Sequence, residues 1–463
     1  MTRAIDRLTV AGLTAMSLIP ANAENRLQRP NLILIMTDQQ TASAMSCAGN
    51  PYVHTPAMDA LARDGVRMTR AYCAYPLSGP SRASMITGMI PSMIGAGDNA
   101  VNPDREAMDR GLGHVISEAG YRCMYAGKWH VPTVYIPEDG TGFEKVCDMD
   151  DRSLADACDK ALDAYDGSKP LFLVASFLDP HEICEYARFE SLPYGNLPPF
   201  SISDCPPLPS NFQKPTKAPE ALDLERDAAP RTHDIYTYGE DDWRGYLYAY
   251  YRLVERVDVQ IGRLVDVLKR RGLYDNSFIM FCSDHGDGAA AHQWNQKWCL
   301  YEESVNVPVI LKAPAGKGPA GTVNAEALCN TGTDIYATFC DYAGISPDPE
   351  IYIGKSLRGV AEGTRAVLHD KVFVETYLSS AEIHGWAIET PRYKYVMYQW
   401  GRNKEALYDL ENDPGEMVNL IDEPSCREIV KQMHRDLLEW GEYIKNPKLL
   451  KNIRQMVEYD SKY

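Results

Sequence analysis

Three short apolar runs that break off into acidic residues and histidine constrain this chain more than any other feature. Asn31 to Met36 (NLILIM) stops at Thr37-Asp38-Gln39. Leu171 to Phe177 stops at Asp179-Pro180-His181, and Ser277 to Cys282 at Ser283-Asp284-His285-Gly286. A β-rich run without polar alternation is the mark of a strand covered on both faces. Val307 to Lys312 reads as a fourth such strand. Between the strands lie helical patterns. Thr55-Pro56 opens one, with Thr55 as N-cap and Pro56 in the first turn. The longest runs from Trp243 to Arg271, where Leu247, Tyr250, Leu253, Val257, Ile261 and Val265 recur at helical spacing. Strands alternating with helices predict an α/β fold, a large mostly parallel sheet flanked by helices. In such sheets ligands bind beyond the carboxyl ends of the strands. Here those ends carry Asp38-Gln39, Asp179 with His181, and Asp284-His285.

At 463 residues the chain is too long for one ordinary core. The pattern changes after Ser356. Val372 to Tyr377, Gly385 to Glu389, Tyr393 to Tyr398 and Ala406 to Leu410 read as short antiparallel strands, followed by a helix from about Ser425 to Tyr443. We therefore expect a catalytic domain over residues 24–356 and a small α+β domain over 357–463. Leu192 to Arg231 is proline-rich and aperiodic, the mark of a functional or mobile loop. Residues 1–23 resemble a secretory signal: Arg3 and Arg7, an apolar stretch, then Ala21-Asn22-Ala23 as a cleavage pattern. The expected location is the periplasm or outside the cell. No later run is long enough for a membrane span. The formal net charge of −17 argues against a nucleic-acid partner. An anionic small substrate then needs a local cluster of cations. Twelve cysteines without a C-x-x-C pair argue against structural zinc, and most are expected to be buried thiols.

Pro76-Leu77-Ser78-Gly79-Pro80-Ser81-Arg82 places Ser78 before a helix opened by Pro80. Free N–H groups and the dipole at such an end favour an anion. Arg82, one turn on, can point its fork toward the same anion.

This stretch, continuing to Thr87-Gly88, resembles the signature of the formylglycine-dependent sulfatases, C/S-x-P-S-R followed by T-G. The resemblance extends from Arg29 to about Leu420. It includes Gly127-Lys128-Trp129-His130, the two pairs Asp38-Gln39 and Asp284-His285, Pro180-His181, Lys297, and Leu407 to Leu420. It implies an alkaline-phosphatase/sulfatase-like fold and hydrolysis of sulfate monoesters, on sulfated saccharides such as glycosaminoglycans. It implies that Ser78 is oxidised to formylglycine (3-oxoalanine) by an anaerobic sulfatase-maturating enzyme. By the same resemblance Asp38, Gln39, Ser78, Asp284 and His285 hold a divalent metal. Lys128 supports the nucleophile and binds the sulfate charge beside Arg82, His130 is a base, and His181 and Lys297 bind sulfate, one or the other protonating the leaving oxygen. His292 is a further substrate-binding candidate. Oxygen-rich ligands favour Ca²⁺, and the His285 nitrogen lets Mn²⁺ or Zn²⁺ compete. Many relatives have Asp where this chain has Gln39 and Asn where it has His285. The alternative reading is a phosphodiesterase or phosphonate monoester hydrolase of the same superfamily. The Leu407 to Leu420 stretch is read as structural.

Overall fold

A computed structural model describes residues 29–131, 140–229 and 237–460. The signal-like segment and part of the proline-rich loop lie outside these residues. In chain order the strands are β1 (Asn31–Thr37), β2 (Val66–Met68), β3 (Ala71–Tyr72), β4 (Arg122–Gly127), β5 (Glu144–Cys147), β6 (Leu171–Ser176) and β7 (Ser277–Ser283). They continue with β8 (Val309–Lys312), β9 (Thr322–Asn324), β10 (Cys329–Asn330), β11 (Val372–Leu378), β12 (Ile383–Glu389), β13 (Tyr393–Tyr398) and β14 (Glu405–Asp409).

Eight strands form the main sheet in the order β5-β4-β6-β1-β7-β8-β2-β9. The five from β5 to β7 run parallel, with Leu34 paired to Val174 on one side and Met280 on the other. Only β8 runs against its neighbours. Every residue of β1 and of β7 is buried, as unalternating apolar runs require when helices cover both faces. Leu32, Leu34 and Met36 face one core, and Ile33 and Ile35 face another. The sequence reading missed β4, β5 and the short strands. Arg122 to Gly127 mixes arginine, cysteine and tyrosine with little β-branching, so its burial is legible only from its place between β5 and β6.

The long helix spans Glu240–Arg270, and fifteen of its residues are buried, Leu253, Val257 and Ile261 completely. It also caps another helix. The N–H groups of Ala57 and Met58, at the start of helix Pro56–Asp64, donate to the Asp258 carboxylate. Thr55 makes no cap hydrogen bond there; its hydroxyl pairs with Ser46 and Asp59. The expected side-chain cap is thus replaced by a residue two hundred positions away.

The small domain is the antiparallel sheet β11-β12-β13-β14, with helices Arg427–Tyr443 and Pro447–Asp460 packed on it. This matches the expected C-terminal α+β pattern; the last helix was not foreseen. All twelve cysteines are free and ten are buried. No helix among the described residues is long and apolar enough to cross a membrane.

Candidate active site

The carboxyl ends of four adjacent parallel strands, β4, β6, β1 and β7, open onto one place. β1 leads into Asp38 and Gln39, β7 into Asp284 and His285, β4 into Lys128 and His130, and β6 into the turn that carries His181. Gly127 closes β4 at φ 89°, and a Cβ there would lie 2.0 Å from the Ser176 carbonyl oxygen of β6. Glycine is therefore required where the chain turns Lys128 inward.

Ser78 is the first residue of helix Ser78–Thr87 and is fully buried. Its Oγ lies 3.2 Å from Asp38 Oδ2 and 3.0 Å from His285 Nε2. The ligand atoms of Asp38, Asp284 and His285 lie within 4.8 Å of one another. Two buried carboxylates and an imidazole nitrogen at this spacing suit one divalent cation. Gln39 joins them. Its backbone N–H donates to Asp284 Oδ1 at 3.1 Å, and its Oε1 accepts from Lys297 Nζ at 2.8 Å.

Lys128 Nζ pairs with Asp38 Oδ2 at 2.7 Å. Arg82 differs from its expected part. Its Nε donates to Asp284 Oδ2, its Nη2 to Asp38 Oδ2, and its Nη1 to the Lys128 carbonyl and Ser176 Oγ. The guanidinium thus ties the ends of all four strands together and faces the acidic pair, where the sequence had it facing the substrate anion.

The charges tune one another. Burial alone would push the Asp38 carboxyl up, yet Lys128, His181 and Arg82 hold it well below the usual carboxylate range. Burial lowers Lys128 against the pull of Asp38. His181 is lowered well below its ordinary value by burial, then by Lys128 and Lys297. Burial, then Lys128, also lowers His130, whose residue reaches the surface. Both imidazoles are therefore neutral at pH 7. A cavity of about 490 Å³ opens beside Lys128, His130 and His181, walled by Trp129, Lys145 and Glu185. A second cavity of this size, against His434 and Tyr459 on the small domain, contains none of these residues.

His292 is not brought to this cluster. It is 2% exposed, stacks on Tyr301 at 3.8 Å, and meets Asn211 and Glu303. Its substrate-binding assignment has no geometric support, because its ring is taken up by Tyr301, Asn211 and Glu303. Sequence reasoning also missed Asp287, Tyr246 and Tyr250. Asp287 accepts from Gln39 Nε2 and Tyr246 Oη, and Tyr250 Oη donates to the Gln39 carbonyl. The two tyrosines stand one turn apart on the long helix, a spacing that could have flagged them.

The fold and this site together fit a hydrolase of anionic esters, with Asp38, Asp284 and His285 spaced to hold a divalent cation. The sulfatase family profile matches residues 30–345, and a profile for the N-sulphoglucosamine sulphohydrolase C-terminal region matches 290–442. The chain belongs to the sulfatase family and is a sulfuric ester hydrolase. It is 29% identical to a Delta 4,5-hexuronate-2-O-sulfatase of Bacteroides thetaiotaomicron, across 89% of this chain and 88% of that one. It is 27% identical to an arylsulfatase of Clostridium perfringens, across 89% and 94%. A solved 2-O GAG sulfatase superposes with a TM-score of 0.79 at 26% identity, covering 90% of this chain and 93% of the other. Membership implies a formylglycine and a divalent metal.

Proposed function

We propose that this sulfatase removes sulfate from saccharides of the glycosaminoglycan type, using Ser78 in its formylglycine form and a calcium ion. The observation that carries the reading is the enclosure of Ser78 Oγ between Asp38 and His285 at a helix N-terminus. The names of the Bacteroides relative and of the similar solved structure support the saccharide class. Asp38, Gln39, Asp284 and His285 would hold the cation, which supplies positive charge against the developing anion. Formylglycine supplies a hydrated aldehyde, whose paired hydroxyls serve attack on sulfur and then release of sulfate.

The protein's own residues do the rest. A sulfate monoester carries negative charge that repels a nucleophile, so cations must surround its nonbridging oxygens. Lys128 and Lys297 are the ammonium groups available, and His181, held neutral, gives a hydrogen bond. The leaving oxygen takes its proton from His181 or Lys297, the two groups the family resemblance assigns to it. His130, also neutral, accepts a proton from the hydroxyl at position 78. The cavity beside Lys128, His130 and His181, of about 490 Å³, has the volume for a sugar ring. Export to the periplasm or beyond belongs to the same reading and rests on the N-terminal pattern.

The test is turnover of a panel of sulfated saccharides by protein matured in an anaerobic host, beside Ser78→Ala. The expected result is sulfate release by the matured enzyme, none by the variant, and a Ser78 peptide lighter by two hydrogens. Turnover of phosphodiesters or phosphonate monoesters in place of sulfate esters would overturn it.

A further inference from the structure

The cation site has an amide, Gln39, where an acid would be expected, and an amide can sit two ways round. If its nitrogen faced the cation, the site would lose a ligand and gain a repulsive dipole. The surroundings decide the matter. Gln39 Nε2 donates to Asp287 Oδ2 at 2.8 Å, while Oε1 accepts from Lys297 Nζ at 2.8 Å and from Cys184 Sγ at 3.3 Å. A carboxylate only accepts and an ammonium only donates. These two neighbours therefore exclude the reversed amide.

Asp287 is itself fixed. Tyr246 Oη donates to it, 2.9 Å from Oδ1 and 2.8 Å from Oδ2, and the Ala289 N–H donates to Oδ1 at 2.8 Å. Tyr246 Oη in turn accepts from the Gln296 N–H at 3.1 Å. Gln39, Asp287 and Tyr246 are all fully buried, so water does not offer the amide another partner. The Nε2 end is thus held back against Asp287 and the long helix. The opposite end, Oε1 beside Lys297, is the end left to face the site.

We propose that Asp287 is the positioning residue that turns the Gln39 oxygen toward the cation. The negative charge missing at position 39 stands one hydrogen bond behind it, on residue 287, as a partner to the ligand. This rests on the reading of Asp38, Gln39, Asp284 and His285 as a calcium site.

The test is titration calorimetry of Ca²⁺ into the metal-stripped full chain in its Ser78 form, which needs no maturation. Asp287→Asn keeps the shape but adds a donor, so the amide is free to reverse. We expect Ca²⁺ to bind about 10- to 100-fold more weakly, the usual cost of losing a partner behind a ligand. The pair Gln39→Glu with Asp287→Asn exchanges donor for acceptor, and it should regain most of that affinity. Regain beyond that of Gln39→Glu alone, in which two carboxylates face each other, is an effect that a merely structural role for Asp287 would not produce. Unchanged affinity in Asp287→Asn, or a loss that the pair does not recover, overturns the proposal. Should Asp287→Asn fail to fold, as read by near-ultraviolet circular dichroism, the double variant beside Gln39→Glu decides. A wild-type chain that takes up no Ca²⁺ overturns the calcium reading itself, and this inference with it.

Discussion

Glu375 on β11 is buried, and its Oε2 accepts from the Ser92 N–H at 3.0 Å. Burial pushes its carboxyl up to about 7. In the unfolded chain it titrates near its ordinary value of 4.5. Between those values the folded protein keeps a proton that the unfolded chain has released. Its contribution to stability is therefore full below about 4.5 and falls as pH rises to about 7. Thermal unfolding of Glu375→Gln at pH 5 and pH 7.5 is expected to show a smaller loss of Tm with rising pH than wild type; equal losses would exclude this carboxyl as the cause. Residues differ sharply in how far their sequence betrays them. Asp38, Asp284 and Ser78 are legible because each follows a break in an apolar run or opens a helix. Asp287 looks like any turn acid beside glycine. Tyr246 falls on the apolar face of its helix, where a tyrosine reads as core. Both act through partners distant in sequence, and only the one-turn spacing of Tyr246 and Tyr250 hints at either.

At the scale of elements, the long helix Glu240–Arg270 was legible from its spacing, yet its tasks were not. Besides Tyr246 and Tyr250 it carries Arg256. That guanidinium donates to Asp179 Oδ2 at 2.6 Å and to Glu182 Oε2, on either side of His181. Asp151, from another helix, accepts the Leu178 and Asp179 N–H groups of the same turn. His181 owes its place to this bracing, since its own backbone N–H is satisfied only locally, by Leu178. Arg256→Met should lower kcat/KM by about 10²-fold, the scale of a misplacement of about 1 Å. Steady-state kinetics of the matured variant check this, with circular dichroism to establish that the helix persists. Activity within twofold of wild type would mean that the turn holds itself.

In the whole molecule, the small sheet is locked to the catalytic domain by Lys394. Its ammonium is buried and meets Glu302 at 3.1 Å, Glu389 at 3.2 Å and Glu416 at 3.0 Å. Glu416 also accepts the Glu302 N–H, so the stretch read from sequence as structural clasps the segment that follows Lys297. Removing one partner of a buried charge cluster typically costs about 3–5 kcal/mol. Lys394→Met should show a loss of that order in denaturant unfolding, and a change below about 1 kcal/mol would reject the lock. The α/β class and the two-part order of the chain were legible because burial on both faces and on one face leave different patterns. How the parts meet was not, because the contact is made by single polar residues. Ser78 has no surface exposed in the finished fold. A modifying enzyme of the kind the proposed reading requires would therefore have to meet residue 78 before the helix and strand ends close around it.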